Sequence, residues 1–124
     1  MAKKNETRKA VEALHAFALE LPGAVEDFPW GERVAKVGKK VFAFLGKVDD
    51  ATTYSFCLKL PASHTEALEL PYTAPAGYGL GKSGWVVASF APEDALPVEQ
   101  LRRWIDESYR AVAPKKLVKE LDAR

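Results

Sequence analysis

The chain has 124 residues, 48% of them hydrophobic and 28% charged, which predicts one soluble globular domain over 1–124, with its core at about 5–113 and a tail at 114–124. The net charge of +1 indicates no particular partner, and the single cysteine, Cys57, excludes an internal disulfide or a cysteine-based metal cluster. Because the apolar runs are short and the first six residues contain no apolar stretch, we expect no membrane span, no secretory signal and a cytoplasmic protein.

The N-terminal half is predicted to hold one helix and four strands. Apolar residues recur at helical spacing from Asn5, a suitable N-cap, to Leu21, and Pro22-Gly23 ends this helix. Gly38-Lys39 is predicted as a two-residue turn of the II′ type between the second and third strands. The four strand segments are 24–28, 33–37, 40–46 and 53–60.

The C-terminal half is predicted to hold two helices around a fifth strand. A short helix spans 62–70, the strand spans Trp85 to Phe90, and the last helix begins near Pro97 and ends at Pro114. Residues 71–75 are not typical of a buried strand, and 115–124 form either a further helical turn or a frayed tail.

This order of elements, α-β-β-β-β-α-β-α, indicates an α+β fold with an antiparallel sheet of about five strands. The links between the first four strands are too short for parallel crossovers. The first and last helices carry the strongest apolar stripes, so we expect them to pack together on one face of the sheet. The other face is then wholly or partly open.

A glycine-rich loop, Gly79 to Gly84, resembles a nucleotide-binding P-loop in composition but not in register or context. Ala76 occupies the position of the required first glycine, and the residues after the loop favour a strand instead of a helix. We therefore predict no nucleotide site there, although Lys82 and Ser83 could hold an anion through loop amide groups.

Three segments carry a resemblance to a known family: Glu-Asp-Phe-Pro-Trp-Gly at 26–31, Lys-Val-Gly-Lys-Lys-Val-Phe-Ala at 36–43 and Gly-Lys-Ser-Gly-Trp-Val at 81–86. In this order they resemble the signature of the MmcQ/YjbR-like family, and the likeness runs from Leu21 to about Val112. The resemblance implies a frataxin-like (CyaY-type) α+β sandwich, also described as a double wing, and a DNA-binding function that rests on the fold. Iron binding is not expected, because the first helix lacks the acidic ridge that oxygen ligation of iron requires.

The segment from Arg33 to Lys47 has five cations and no carboxylate, which makes it the best candidate site. A β-ribbon can enter a DNA groove, and lysine and arginine side chains neutralise phosphates. The alternative is a solvated hairpin whose lysines protect an edge strand from aggregation. With the loop lysine, the predicted phosphate contacts are Arg33, Lys36, Lys39, Lys40 and Lys82.

Three aromatic residues beside glycines, Trp30, Tyr78 and Trp85, could stack on bases or plug the core. Packing in the core is the favoured interpretation for the two tryptophans. If the protein binds nucleic acid, Trp30 and Tyr78 are the candidate stacking groups. The separate histidines, His15 and His64, have no metal-ligand spacing, and we find no catalytic triad or carboxylate pair.

The sequence thus predicts a non-enzymatic domain, without cofactor or metal, that binds nucleic acid, most simply DNA, through the basic hairpin and the glycine-rich loop. The alternative is a module for a small ligand or a protein partner. It would use the open sheet face bordered by Trp30, Tyr78 and Trp85.

Overall fold

A computed structural model describes residues 2–47, 53–77 and 79–124. The four helices are α1 (Ala2–Leu19), α2 (His64–Ala67), α3 (Val98–Val112) and α4 (Lys115–Asp122). The six strands are β1 (Val25–Asp27), β2 (Glu32–Val37), β3 (Lys40–Lys47), β4 (Tyr54–Lys59), β5 (Thr73–Pro75) and β6 (Trp85–Phe90). Short 3₁₀ turns cover Pro29–Gly31 and Leu80–Ser83.

The strands form one antiparallel sheet in the order β1-β2-β3-β4-β6-β5, which confirms the predicted α+β class. Helices α1 and α3 contact each other, and α3 also packs on β3 and β4. The core between helices and sheet includes Leu14, Phe42, Phe56, Leu101 and Ile105, each at most 1% exposed. Within the described residues no helix is long and apolar enough to cross a bilayer.

The sheet has one strand more than predicted, because residues 73–75 pair with β6 at the edge. Pro75 can lie there because an edge strand leaves one side of its backbone without ladder partners. Two further elements differ from the sequence prediction. The short helix α2 is one turn long, and the C-terminal tail forms helix α4, whose Leu117, Val118 and Leu121 pack against the core.

Two local predictions are wrong. Helix α1 begins at Ala2, so Asn5 lies inside the helix and does not cap it. Gly38 and Lys39 both have positive φ, +58° and +70°, which defines a type I′ turn and not the II′ turn. This turn matches the right-handed twist of β2 and β3, and glycine tolerates the left-handed backbone at its first position.

The hydroxyl of Ser108 on α3 joins β3 to β4 where these strands do not pair directly. Its Oγ accepts a hydrogen bond from the Lys59 amide at 2.8 Å and donates one to the Phe42 carbonyl. Ser108 is fully buried, so neither backbone group can turn to water instead. The hydroxyl therefore completes the β3–β4 ladder and fixes α3 on the sheet.

Replacing Ser108 by alanine leaves the Lys59 amide and the Phe42 carbonyl without their buried partner. We expect Ser108→Ala to lower the free energy of unfolding by about 1–3 kcal/mol, measured by urea denaturation. The matched control is Ser89→Ala on the exposed side of β6, which should change stability by less than about 0.5 kcal/mol. Equal stability of the two variants would show that the hydroxyl bridge contributes nothing.

Candidate functional site

The predicted phosphate contacts on β2 are already engaged in ion pairs with β1. Arg33 Nε lies 3.3 Å from Glu26 Oε2, and Lys36 Nζ lies 2.8 Å from Asp27 Oδ2. The antiparallel register opposes Asp27 to Val34 and Glu26 to Ala35, so these pairs form on opposite faces of the sheet. The sequence predicted that the cations between Arg33 and Lys47 have no neighbouring carboxylate. This is wrong for Arg33 and Lys36, because their partners precede that segment in the sequence.

Asp27 also caps the chain after β1, as its Oδ1 accepts a hydrogen bond from the Phe28 amide at 2.8 Å. The hydrogen bond from Lys36, followed by that from Phe28, lowers the pKa of the Asp27 carboxyl. The carboxylate thus stays charged beside Lys36, and a phosphate that approached this lysine would have to displace it.

Arg33 is held against helix α1 by His15, whose Nδ1 lies 2.9 Å from the Arg33 Nη1. A guanidinium can only donate, so this nitrogen accepts and the neutral imidazole carries its proton on Nε2. Burial, followed by the charge of Arg33, lowers the pKa of His15 from 6.5 to about 4. The Arg33 guanidinium also lies 5.5 Å from the centroid of the Phe28 ring. Arg33 is therefore a structural link between β1, β2 and α1.

The lowered pKa of His15 makes stability depend on pH. The unfolded chain takes up a proton near pH 6.5 and the folded chain only near pH 4, so acid favours unfolding in this window. We expect the contribution of neutral His15 to be complete above about pH 6.5 and lost as the pH falls to 4.

We test this by measuring the free energy of unfolding of the wild type and of His15→Asn at pH 7 and pH 4.5. Asparagine is chosen because its Oδ1 can still accept a hydrogen bond from Arg33. The wild type should lose on the order of 2 kcal/mol more than the variant on acidification. Parallel losses in the two proteins would contradict the assignment.

Lys39 and Lys40 lie at the exposed tip of the β2–β3 hairpin, as predicted. The tip meets the start of α4, because a Cβ built on Gly38 would lie 3.3 Å from Cγ of Pro114. Lys115 and Lys116 follow Pro114 directly and are exposed as well. None of these four ammonium groups is in an ion pair within the described part of the chain. We call Lys39, Lys40, Lys115 and Lys116 the lysine patch.

The α4 lysines of this patch were missed at the level of sequence, because residues 115–124 were interpreted as a helical turn or a frayed tail. The available signal was Pro114, since proline is common where a helix begins, followed by two lysines. The N-terminus of α4 adds the positive end of a helix dipole to the same surface.

Lys82 lies exposed in the 3₁₀ turn that leads into β6. Trp85, the first residue of β6, is paired with Lys59 at the end of β4, so this turn and the hairpin tip share one end of the sheet. One strand, β4, lies between the β2–β3 hairpin and β6, which places β6 roughly 10 Å from β3 and roughly 15 Å from β2. Lys82 is therefore a neighbour of the lysine patch and not a member of it.

The loop around Lys82 has the structure expected of a connection and not of a P-loop. A 3₁₀ turn and then a strand follow Gly79, whereas a phosphate loop leads into a helix. Gly79 and Gly84 adopt φ of +79° and +87°, the left-handed region that glycine tolerates.

The aromatic candidates differ in what the structure describes. Trp85 is 9% exposed and packs edge-to-face on Phe44, with ring centroids 5.6 Å apart, on the sheet face opposite α3. This supports packing as its role. The side chains of Trp30 and Lys47, and the whole of Tyr78, lie outside the described residues.

Metal binding and thiol chemistry are further possibilities for the described residues. They contain no group of three or more His, Cys, Asp or Glu side chains placed to hold a metal ion. Cys57 is half-buried, and burial, followed by the charge of Glu32, raises the pKa of its thiol to about 12. The thiol is therefore protonated at neutral pH and a poor nucleophile.

Comparison with known proteins places the chain in a family. The sequence model of the YjbR family matches residues 19–111, so the chain belongs to the YjbR family. The fold is similar to the crystal structure of the Deinococcus radiodurans protein DR2400, which has the domain DUF419. That protein is 29% identical, the match covers 90% of this chain and 87% of that chain, and the TM-score is 0.68. No curated protein matches the sequence.

Proposed function

We propose that this protein is a non-enzymatic DNA-binding domain whose main contact with phosphate is the lysine patch. The observation that supports it is the contact of Gly38 with Pro114, which joins two exposed lysine pairs from distant parts of the chain. The proposal agrees with the DNA-binding function that the family resemblance implies, and it moves the site away from β2.

The charge balance of the surface favours this location. Arg33 and Lys36 have carboxylate partners within ion-pair distance, so phosphate binding there would first have to break those pairs. The lysine patch has no such cost, since its ammonium groups are solvated and unpaired within the described residues. Each phosphate that a lysine neutralises releases counterions, which drives the association.

The chemistry of the patch predicts weak binding with little sequence preference. Lysine is a point charge on a flexible stem and recognises phosphate without the planar fork that reads base edges. Lys82, at the same end of the sheet, extends the basic surface toward β6. The I′ hairpin is a twisted β-ribbon of the kind that can approach a groove.

The alternative, a small-ligand module on the open sheet face, loses one of its three bordering residues. Trp85 packs against Phe44 and is only 9% exposed, so it is not free to line a pocket. No observation on that face favours a particular ligand, and the DNA proposal is therefore preferred.

Charge reversal tests the patch directly. We expect Lys39→Glu with Lys40→Glu, and separately Lys115→Glu with Lys116→Glu, each to weaken binding to a short duplex by at least about tenfold. Fluorescence anisotropy at low salt measures the dissociation constant, and circular dichroism checks that each variant is folded.

The matched control is Arg8→Glu with Lys9→Glu, which makes the same change in net charge on exposed positions of α1. These residues lie toward the opposite end of the sheet, where Thr7 Oγ1 bonds the Asp94 carbonyl beyond the end of β6. If the control weakens binding as much as the patch variants do, only overall charge matters and the proposed site is wrong.

The salt dependence of the binding constant gives an independent count of the phosphate contacts. Four contacts predict a slope of about −3 to −4 in log K against log salt, or roughly a hundredfold loss of affinity between about 50 and 200 mM salt. Each double variant should reduce the slope by about 2. A slope near zero would contradict binding through phosphates.

A further inference from the structure

A groove of about 780 Å³ runs along the outer side of α3, on the helical layer of the molecule and apart from the lysine patch. Its apolar surface comes from Phe17 of α1, from Pro61 and Ala62 before α2, and from Ala111 of α3. Its polar surface comes from six charged side chains of α3. The volume lies in the range of small-molecule sites, so what matters is which charges remain available to a ligand.

Three of the charged residues in the groove are already satisfied within the protein. Arg110 bonds Asp106 and Asp122, each at 2.8 Å. Glu107 accepts hydrogen bonds from the amides of Ala62 and Ser63 and from the Ser63 hydroxyl at 2.9, 3.1 and 2.6 Å. Asp106 and Glu107 therefore stabilise the fold. Arg110 is already paired with two carboxylates of the protein, so it is not available to a ligand.

Arg102 and Arg103 remain without an ion-pair partner within the described residues, and both are exposed. The guanidinium carbon of Arg102 lies 4.8 Å from the centroid of the Phe17 ring. This cation–π contact reduces the freedom of the Arg102 side chain, and no hydrogen bond to another of the described residues uses its N–H groups. Among the described residues that line the groove, Glu99 is the one remaining acid, and it makes no ion pair with either arginine.

We propose that this groove binds a small organic carboxylate that has an apolar body. The carboxylate would pair with Arg102 and Arg103, whose planar donors match its two oxygens. The apolar body would lie on Phe17, Pro61 and Ala62. The site is independent of DNA binding, because it uses none of the residues of the lysine patch.

Titration of ¹⁵N-labelled protein with 3-phenylpropionate tests the proposal, followed by the Nε–Hε signals of the two arginines and the backbone amides. We expect saturable shifts at Arg102, Arg103 and residues 61–62, with a dissociation constant in the millimolar range. Arg102→Gln and Arg103→Gln should each weaken binding by about tenfold. Arg8→Gln, an exposed arginine outside the groove, should leave the dissociation constant unchanged.

Two further ligands define the chemistry. The neutral analogue 3-phenylpropanamide should not bind, and equal binding of the amide would show an apolar groove without anion recognition. Phenyl phosphate should bind no more tightly than 3-phenylpropionate, and the reverse order would overturn the carboxylate assignment.

The charge-reversed Lys39→Glu, Lys40→Glu protein should bind 3-phenylpropionate like the wild type, which separates this site from the DNA-binding proposal. The absence of shifts at about 20 mM ligand, or shifts confined to residues outside the groove, would overturn the proposal.

Discussion

The packing of Tyr109 determines where the lysine patch and the groove along α3 lie. This side chain is fully buried, its hydroxyl donates to the Pro22 carbonyl at 2.6 Å, and its ring meets Phe42 edge-to-face at 5.3 Å. It therefore joins α3, the turn after α1 and strand β3. Ser108, the preceding residue, joins β3 to β4 from the same helix turn. Together they fix the end of α3, so that Pro114 reaches Gly38 and α4 begins beside the hairpin tip.

The same packing explains why cations of similar sequence context have different roles. Strand β1 follows α1 and lies at the sheet edge, where its acids face the cations of β2. Burying the His15 ring beside Arg33 favours the neutral imidazole and keeps that arginine at the edge of the helical layer. The hairpin tip extends beyond β1, and no carboxylate of the described residues pairs with its lysines. Solvated cations are the ones that a polyanion can bind without displacing an acid.

Sequence patterns predicted most of the fold, because the strong signals were local. Strict alternation located β4, β-branched and aromatic content located β6, and prolines marked the end of α1 and both ends of α3. Strand β5 was missed because its three residues include a proline and depend on pairing with β6. The register of β1 against β2 is also non-local, so the neutralisation of Arg33 and Lys36 was not visible in the charge count.

The proposed lysine patch was visible in the sequence only in part, for the same reason. Lys39 and Lys40 belong to one hairpin, and a two-residue turn is readable from its glycine. The contribution of α4 depends on a contact between Gly38 and Pro114, which are 76 positions apart in the sequence. The charge that the groove along α3 offers to a ligand depends on which of its charged side chains are already paired within the protein. That pairing is known only from the contacts of Glu107 and Arg110 in the structure.

The most direct test of the central claim is the reactivity of each lysine toward an amine-acetylating reagent, read by mass spectrometry with and without duplex DNA. One surface built from the hairpin tip and the start of α4 predicts that Lys39, Lys40, Lys115 and Lys116 are protected together, while Lys9 and Lys36 react as in the free protein. Protection of Lys9 or Lys36 without the other four, or of one lysine pair without the other, would contradict the account.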